Sequence, residues 1–135
     1  SWNVARRIED MDRDGVAAQA LSPMPELLSY WFDAAEGLSL ARYVNHVIAE
    51  MVAARPGRFH GLGMVPLQDV ELATRELERL AADGFAGVQI GSNINGAFPG
   101  EARFEPFFAA CARLSLAVFV HALHPIGAER LQSFP

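Results

Sequence analysis

Residues 59–91 read FHGLGMVPLQDVELATRELERLAADGFAGVQIG. They contain a strand, a helix and a second strand, in that order. Phe59 to Val65 is an apolar run in which Gly61 and Gly63 permit close approach of neighbouring groups. Pro66-Leu67-Gln68-Asp69 turns the chain, and Asp69 is a suitable N-cap for a helix with Val70, Ala73, Leu77 and Leu80 on its inner face. Asp83-Gly84 ends that helix, and Gly87-Val88-Gln89-Ile90-Gly91 follows as another short apolar strand. Strands without polar alternation, joined by an amphipathic helix, imply a parallel sheet covered by helices.

The flanking sequence repeats the unit. Residues 4–14 predict a helix on Val4, Ile8 and Met11, closed by Asp14-Gly15. Val16 to Leu21 predicts a strand ending at Ser22-Pro23. An irregular segment then carries Tyr30, Trp31 and Phe32. Such a loop covers a ligand site or forms a small apolar patch, and both readings stand. Ser39 can cap a helix whose stripe is Leu40, Tyr43, Val44, Val47, Ile48, Met51 and Val52, with Arg42, Asn45 and Glu50 opposite and Arg55-Pro56-Gly57 as the stop. His46 borders the polar face and reads as a surface histidine. Beyond Gly91, residues 92–100 form a loop. Pro106 then opens a helix lined by Phe104, Phe107, Phe108, Cys111 and Leu114. Cys111 reads as a small core residue. Leu116 to His121 is the fourth strand.

Strand starts near residues 16, 59, 87 and 116 give four helix–strand units. An open doubly wound sheet and part of a (β/α)₈ barrel both fit that order. The dinucleotide fingerprint G-x-G-x-x-G is absent at any strand–helix turn.

Composition narrows the function. The chain has 135 residues, about half of them apolar, and a formal net charge of −5. All eleven basic residues are arginine, so no lysine can form a Schiff base or serve a P-loop. The acidic balance argues against nucleic acid as a partner. One cysteine excludes an internal disulfide, and a cytoplasmic setting is expected. No apolar run is long enough to predict a membrane span. The missing initiator Met points to sequence upstream.

In parallel α/β folds, ligands sit at the C-terminal ends of the strands. That rule selects Ser22, Pro23, Gln68, Asp69, Gln89, Ser92, Asn93, His121 and His124. Several have ordinary structural uses: Ser22 and Asp69 as caps or turn residues, Asn93 and Asn95 as loop formers. His121 ends an apolar strand, where a neutral imidazole can give a lone pair to a metal. A hydrogen-bonded strand-end histidine is the competing reading, and His-x-x-His at 121–124 is too short a pattern to define a metal site.

The segments Arg7-Ile8-Glu9-Asp10-Met11-Asp12, Gly15-Val16, Gln19, Asn45, Arg58-Phe59, Gly63-Met64-Val65-Pro66-Leu67-Gln68-Asp69, Gly84-Phe85, Gly87-Val88-Gln89-Ile90-Gly91-Ser92 and Val118-Phe119-Val120-His121 occur in an order and spacing that resembles the amidohydrolase-2 family. Its aminocarboxymuconate-semialdehyde decarboxylases and related aromatic-acid decarboxylases are the nearest in pattern. The resemblance implies a TIM-type (β/α)₈ barrel, of which this chain would be strands two to five, a partial barrel. It implies one divalent metal, usually zinc, held by a His-x-His pair on the first strand, a histidine ending the fifth strand and an aspartate after the eighth. His121 matches the fifth-strand ligand. The family's proline directly after that histidine is replaced here by Ala122-Leu123-His124-Pro125, which leaves His124 as a second polar contact or the ligand itself.

The remaining ligands have no counterpart in these residues. One histidine cannot make a zinc site, and such barrels run to about 250 residues. Residues 1–135 are therefore expected to be a single segment of a longer barrel, inactive alone. The complete protein is expected to decarboxylate an unsaturated or aromatic carboxylic acid without oxidation. A metal-dependent hydrolase is the alternative, and a non-catalytic half-barrel scaffold or oligomerisation module is the alternative of another class. Tyr30, Trp31, Asn93 and His124 are the expected pocket residues. The expected partners are a small carboxylic acid and further copies of the chain, with no nucleic acid and no membrane.

Overall fold

The computed structural model describes residues 3–122. Four helices and four strands alternate: α1 (Val4–Arg13), β1 (Gln19–Leu21), α2 (Ala34–Ala54), β2 (Phe59–Gly63), α3 (Val70–Ala82), β3 (Gly87–Gly91), α4 (Glu105–Arg113) and β4 (Ala117–His121). Short 3₁₀ turns at Pro25–Leu28 and Ala102–Phe104 precede α2 and α4. The strands form one sheet in the order β1-β2-β3-β4, and every pairing is parallel. Sequential parallel order is the barrel pattern rather than the doubly wound one, whose strand order reverses at a switch point.

Local signals account for most boundaries. Asn3, Asp33 and Asp69 cap α1, α2 and α3 by accepting from the backbone N–H of Arg6, Ala35 and Leu72 at 2.9 Å each. Pro106 lies in the first turn of α4, where it forfeits no bond. Gly84, at φ +79°, takes the left-handed conformation that closes α3.

Four expectations need correction. The helix expected from Ser39 begins at Ala34, because Asp33 supplies the cap; Ser39 Oγ instead donates to Ala35 O inside the helix at 3.0 Å. The first strand begins at Gln19, not Val16, because pairing starts at Gln19↔Phe59. The carbonyls of Val16 and Ala17 are taken by the Arg58 guanidinium at 3.2 and 2.8 Å, which also holds Asp12 at 2.6 Å. The second strand ends at Gly63 rather than Val65, and Asn45 supplies the next bonds. Asn45 Nδ2 donates to Met64 O at 2.9 Å and its Oδ1 accepts from Met64 N at 2.8 Å. Asn45 is thus buried, while Tyr43 from the expected apolar stripe is exposed.

The core lies between the sheet and the helices. A Cβ on Gly61 would meet Phe85 at 3.0 Å and Ile48 at 3.1 Å; one on Gly63 would meet Leu80 at 2.6 Å. Those contacts come from the helical layer, so Gly61 and Gly63 face it. Alternate residues must point to the opposite face. Register carries the rule across the sheet through Leu62↔Gly87, Gln89↔Phe119 and Gly91↔His121. Ala20, His60, Leu62, Gln89, Gly91, Phe119 and His121 therefore share the inner, concave face. Phe119 and Val120, on opposite faces of β4, are 46% and 52% exposed. Among the described residues β4 is an edge, covered only in part: Val118 packs against the core on its outer face, while Phe119 and Val120 stay open.

Glu76 is the one buried acid of α3. It receives three bonds from Arg42 of α2, at 2.9–3.2 Å. The pair joins the two helices on the outer side, and the carboxylate beside it raises the Arg42 guanidinium further above its already high ordinary range.

Candidate metal and ligand site

β4 delivers His121 to the C-terminal rim of the inner face. Its Nδ1 lies 3.1 Å from Ala122 O. A carbonyl can only accept, so a neutral imidazole making this contact has its proton on Nδ1 and its lone pair on Nε2. That tautomer is the one metal binding through Nε2 requires, with Nδ1–H held by a backbone carbonyl as in many metal histidines. The Phe119 ring packs edge-on against the imidazole, 6.1 Å between centroids.

The neighbouring strand fixes His121 from the side. Gly91 is its register partner, and Ser92 N donates to His121 O at 2.9 Å. Gly91 has no side chain to fill the inner face beside the imidazole. Tyr30 fills that place, with Cε2 3.2 Å from the position of a Gly91 Cβ. The Tyr30 hydroxyl accepts from Gly91 N at 3.0 Å. Burial pushes this phenol up to about 12, against a smaller lowering by the Gly91 bond, so it is neutral at physiological pH.

Residues 22–33 cross the sheet as a strap tied from several strand ends. Gln89 Nε2 donates to Pro23 O at 3.0 Å, Gln68 Nε2 to Phe32 O at 3.2 Å and Asn95 Nδ2 to Tyr30 O at 2.7 Å. Ser29, in the left-handed region at φ +44°, turns the strap just before Tyr30. Trp31 and Phe32 stand edge to face at the exposed tip, with centroids 6.0 Å apart. Asn93 Oδ1 accepts from Gly96 N at 3.2 Å.

The structure therefore brings Tyr30, Gly91 and His121 together on one face, with Trp31 further out on the strap. Ser22 is exposed beyond β1, and Asp69 is spent as a cap. His124 lies outside the described residues. His46 is a surface residue 3.4 Å from Glu50, as expected. Cys111 is buried in the core, its thiol pushed up to about 11 by desolvation, which suits packing rather than nucleophilic attack. Asn95 and Gly91 were not expected to matter. Asn95-Gly96 is a primed-turn dipeptide, at φ +49° and +85°, and that signal was available for the hairpin that aims Asn95.

The donor set fits a metal in part. His121 offers one aligned imidazole nitrogen, but no group of three potential ligands occurs among the described residues. A groove lined by Arg42, His46, Glu76, Arg79 and Asp83 lies between α2 and α3. It belongs to the helical side, away from His121.

Residues 1–135 match the family model described as amidohydrolase. The chain belongs to the amidohydrolase family. It is 38% identical over 134 residues to the 2-amino-3-carboxymuconate-6-semialdehyde decarboxylase of Dictyostelium discoideum, covering 98% of this chain and 37% of that protein. The crystal structure of 5-carboxyvanillate decarboxylase from Sphingomonas paucimobilis superposes with a TM-score of 0.83 at 34% identity, over 96% of this chain and 39% of the other. A dihydroxybenzoic acid decarboxylase from Polaromonas sp. JS666, solved with manganese and the inhibitor 2-nitroresorcinol, superposes with a TM-score of 0.81 at 29% identity, over 93% and 40%. The chain thus spans about two-fifths of the length of these relatives. The metal bound in that relative is manganese. No helix among the described residues is long and apolar enough to cross a membrane.

Proposed function

We propose that these residues form strands two to five of a metal-dependent barrel that decarboxylates an unsaturated or aromatic carboxylic acid. The observation that carries the reading is His121, with Nδ1 engaged by Ala122 O and Nε2 free at the rim of the inner face. The open edge at β4, with Phe119 and Val120 exposed, supports a barrel completed by further strands, which would bring the other ligands. The activities in the names of the relatives favour decarboxylation over hydrolysis.

When bound, the metal supplies Lewis-acid stabilisation of negative charge on the substrate. His121 would hold it through Nε2. Trp31 offers an aromatic face at the rim, and Tyr30 and Asn93 close the wall beside it. The reaction breaks one C–C bond: carbon dioxide leaves and a proton takes its place on carbon, with no change in redox state. His124 is part of the same proposal, as a second polar contact near the metal. Zinc suits an imidazole donor, with manganese as the alternative that a metal assay distinguishes. A cytoplasmic location and homo-oligomeric assembly complete the reading; the single cysteine and the exposed Tyr43 on α2 support them.

The test is metal content and carbon dioxide release in the complete polypeptide and its His121→Ala variant. Loss of both metal and turnover is expected. Stoichiometric metal in His121→Ala would overturn the assignment.

A further inference from the structure

His121, the proposed metal ligand, sits on β4, an edge strand among the described residues, where Phe119 and Val120 are exposed and only Val118 packs against the core. A ligand needs firmer placement than such a strand gives by itself. The inner face contains a device that provides it. Ser92 N bonds His121 O at 2.9 Å, so the His121 backbone is referred to the last peptides of β3. Because Ser92 N–H points to β4, the N–H of Gly91 points the other way along the sheet, toward β2. There β2 has already ended at Gly63, so no strand backbone accepts it. The Tyr30 hydroxyl does, at 3.0 Å, and its ring covers Gly91 on the face that His121 shares. Tyr30 is itself held at its other end, where its carbonyl accepts from Asn95 Nδ2 at 2.7 Å. The residue is 4% exposed and follows the left-handed Ser29, which is also buried.

We propose that Tyr30 is the positioning residue of His121: its hydroxyl anchors the end of β3, and through Ser92 it sets where the imidazole stands. This rests on His121 being a metal ligand. It assigns to the strap after β1 a task on a strand three positions away in the sheet. Tyr30 replaces the missing ladder partner of Gly91, and glycine at 91 leaves room for the ring. Partners bonded directly to a ligand are typically worth 10- to 100-fold in metal affinity, and Tyr30, acting one backbone link further out, is expected at the low end of that range.

The experiment is titration of manganese into the metal-free complete polypeptide, with free manganese read by electron paramagnetic resonance and thermal unfolding measured beside it. Tyr30→Phe keeps the ring and removes the hydroxyl; about a 10-fold or greater loss of manganese affinity is expected. Asn95→Gly keeps the left-handed backbone at that position and frees the Tyr30 carbonyl; a loss of several-fold in the same direction is expected, and this variant carries the test should Tyr30→Phe fail to fold. Arg58→Ala releases Val16 and Ala17 at the opposite end of the strands; it is expected to lower the unfolding temperature and leave manganese affinity unchanged. His121→Ala separates the two claims. If it binds manganese like the parent, the site itself is wrongly placed. If it loses the metal while Tyr30→Phe and Asn95→Gly bind normally, the positioning role alone is refuted.

Discussion

Asn45→Ala tests how the helical layer is joined to the sheet. In the native chain the Asn45 amide replaces a strand: it both donates to and accepts from Met64, at 2.9 and 2.8 Å, where β2 has lost its neighbour. Met64 is 1% exposed, so alanine leaves a buried N–H and a buried C=O without partners. Each stranded group costs about 1–3 kcal/mol, and the two together about 2–6 kcal/mol. Water can moderate the loss, because Asn45 borders the groove between α2 and α3. The lower part of the range, about 2–4 kcal/mol, is therefore expected. Asn45→Asp should also destabilise, since a second oxygen would face Met64 O. The assay is urea unfolding followed by circular dichroism, with the midpoint falling at constant slope. Arg75→Ala is the control: its ion pair with Glu71 is exposed on both sides and should change stability by less than about 0.5 kcal/mol. An Asn45→Ala protein within that same margin of the parent would refute the account of the α2–β2 joint.

Two further outcomes follow from buried titratable groups. The Tyr30 phenol is raised to about 12 in the folded chain, above its unfolded value near 10, so its contribution is whole below pH 10 and is lost as pH rises toward 12; up to about 2–3 kcal/mol should disappear across that window, and Tyr30→Phe should remove that part of the alkaline limb in a denaturant series. The Cys111 thiol, buried and raised to about 11, should react with iodoacetamide at pH 8 only as fast as the protein opens, and prompt alkylation of the folded chain would contradict its core placement.

The parts of this fold that were legible in sequence were those decided within a few residues. Asp69, Pro106 and Asp83-Gly84 set the bounds of α3 and α4 by chemistry that acts across one turn. The short run Gly87–Gly91, polar only at Gln89, was legible because β3 is buried on both faces. Errors occurred where a distant group outbid the local one. Val16 to Ala18 has strand composition, yet Arg58, some forty residues away, takes two of its carbonyls. Asn45 reads as part of the polar face of α2 with Arg42 and Glu50, and nothing nearby in sequence shows that β2 will stop short and need its amide. Tyr43 satisfies the apolar spacing of α2, but the sheet meets that helix along Ala41, Val44, Ile48 and Met51 instead.

The site divides along the same line. His121 was legible as a candidate because it breaks an apolar run at a strand end, where a ligand and a hydrogen-bonded structural histidine are the two readings. The resemblance to a family then turned position into chemistry. Gly91 was visible only as a strand residue, and Tyr30 only as one aromatic in a loop. Their importance arises from parallel register, which pairs residue 91 with residue 121 and leaves one N–H facing a vacant lane. Register is not encoded at either position. It follows from which face of each whole strand packs on the helices, and a slip of β4 by one residue against β3 would turn a different side chain toward Gly91. A strand-end histidine can thus be singled out as a ligand candidate from its own sequence, whereas the residue proposed to aim it becomes visible only once the strands are laid side by side.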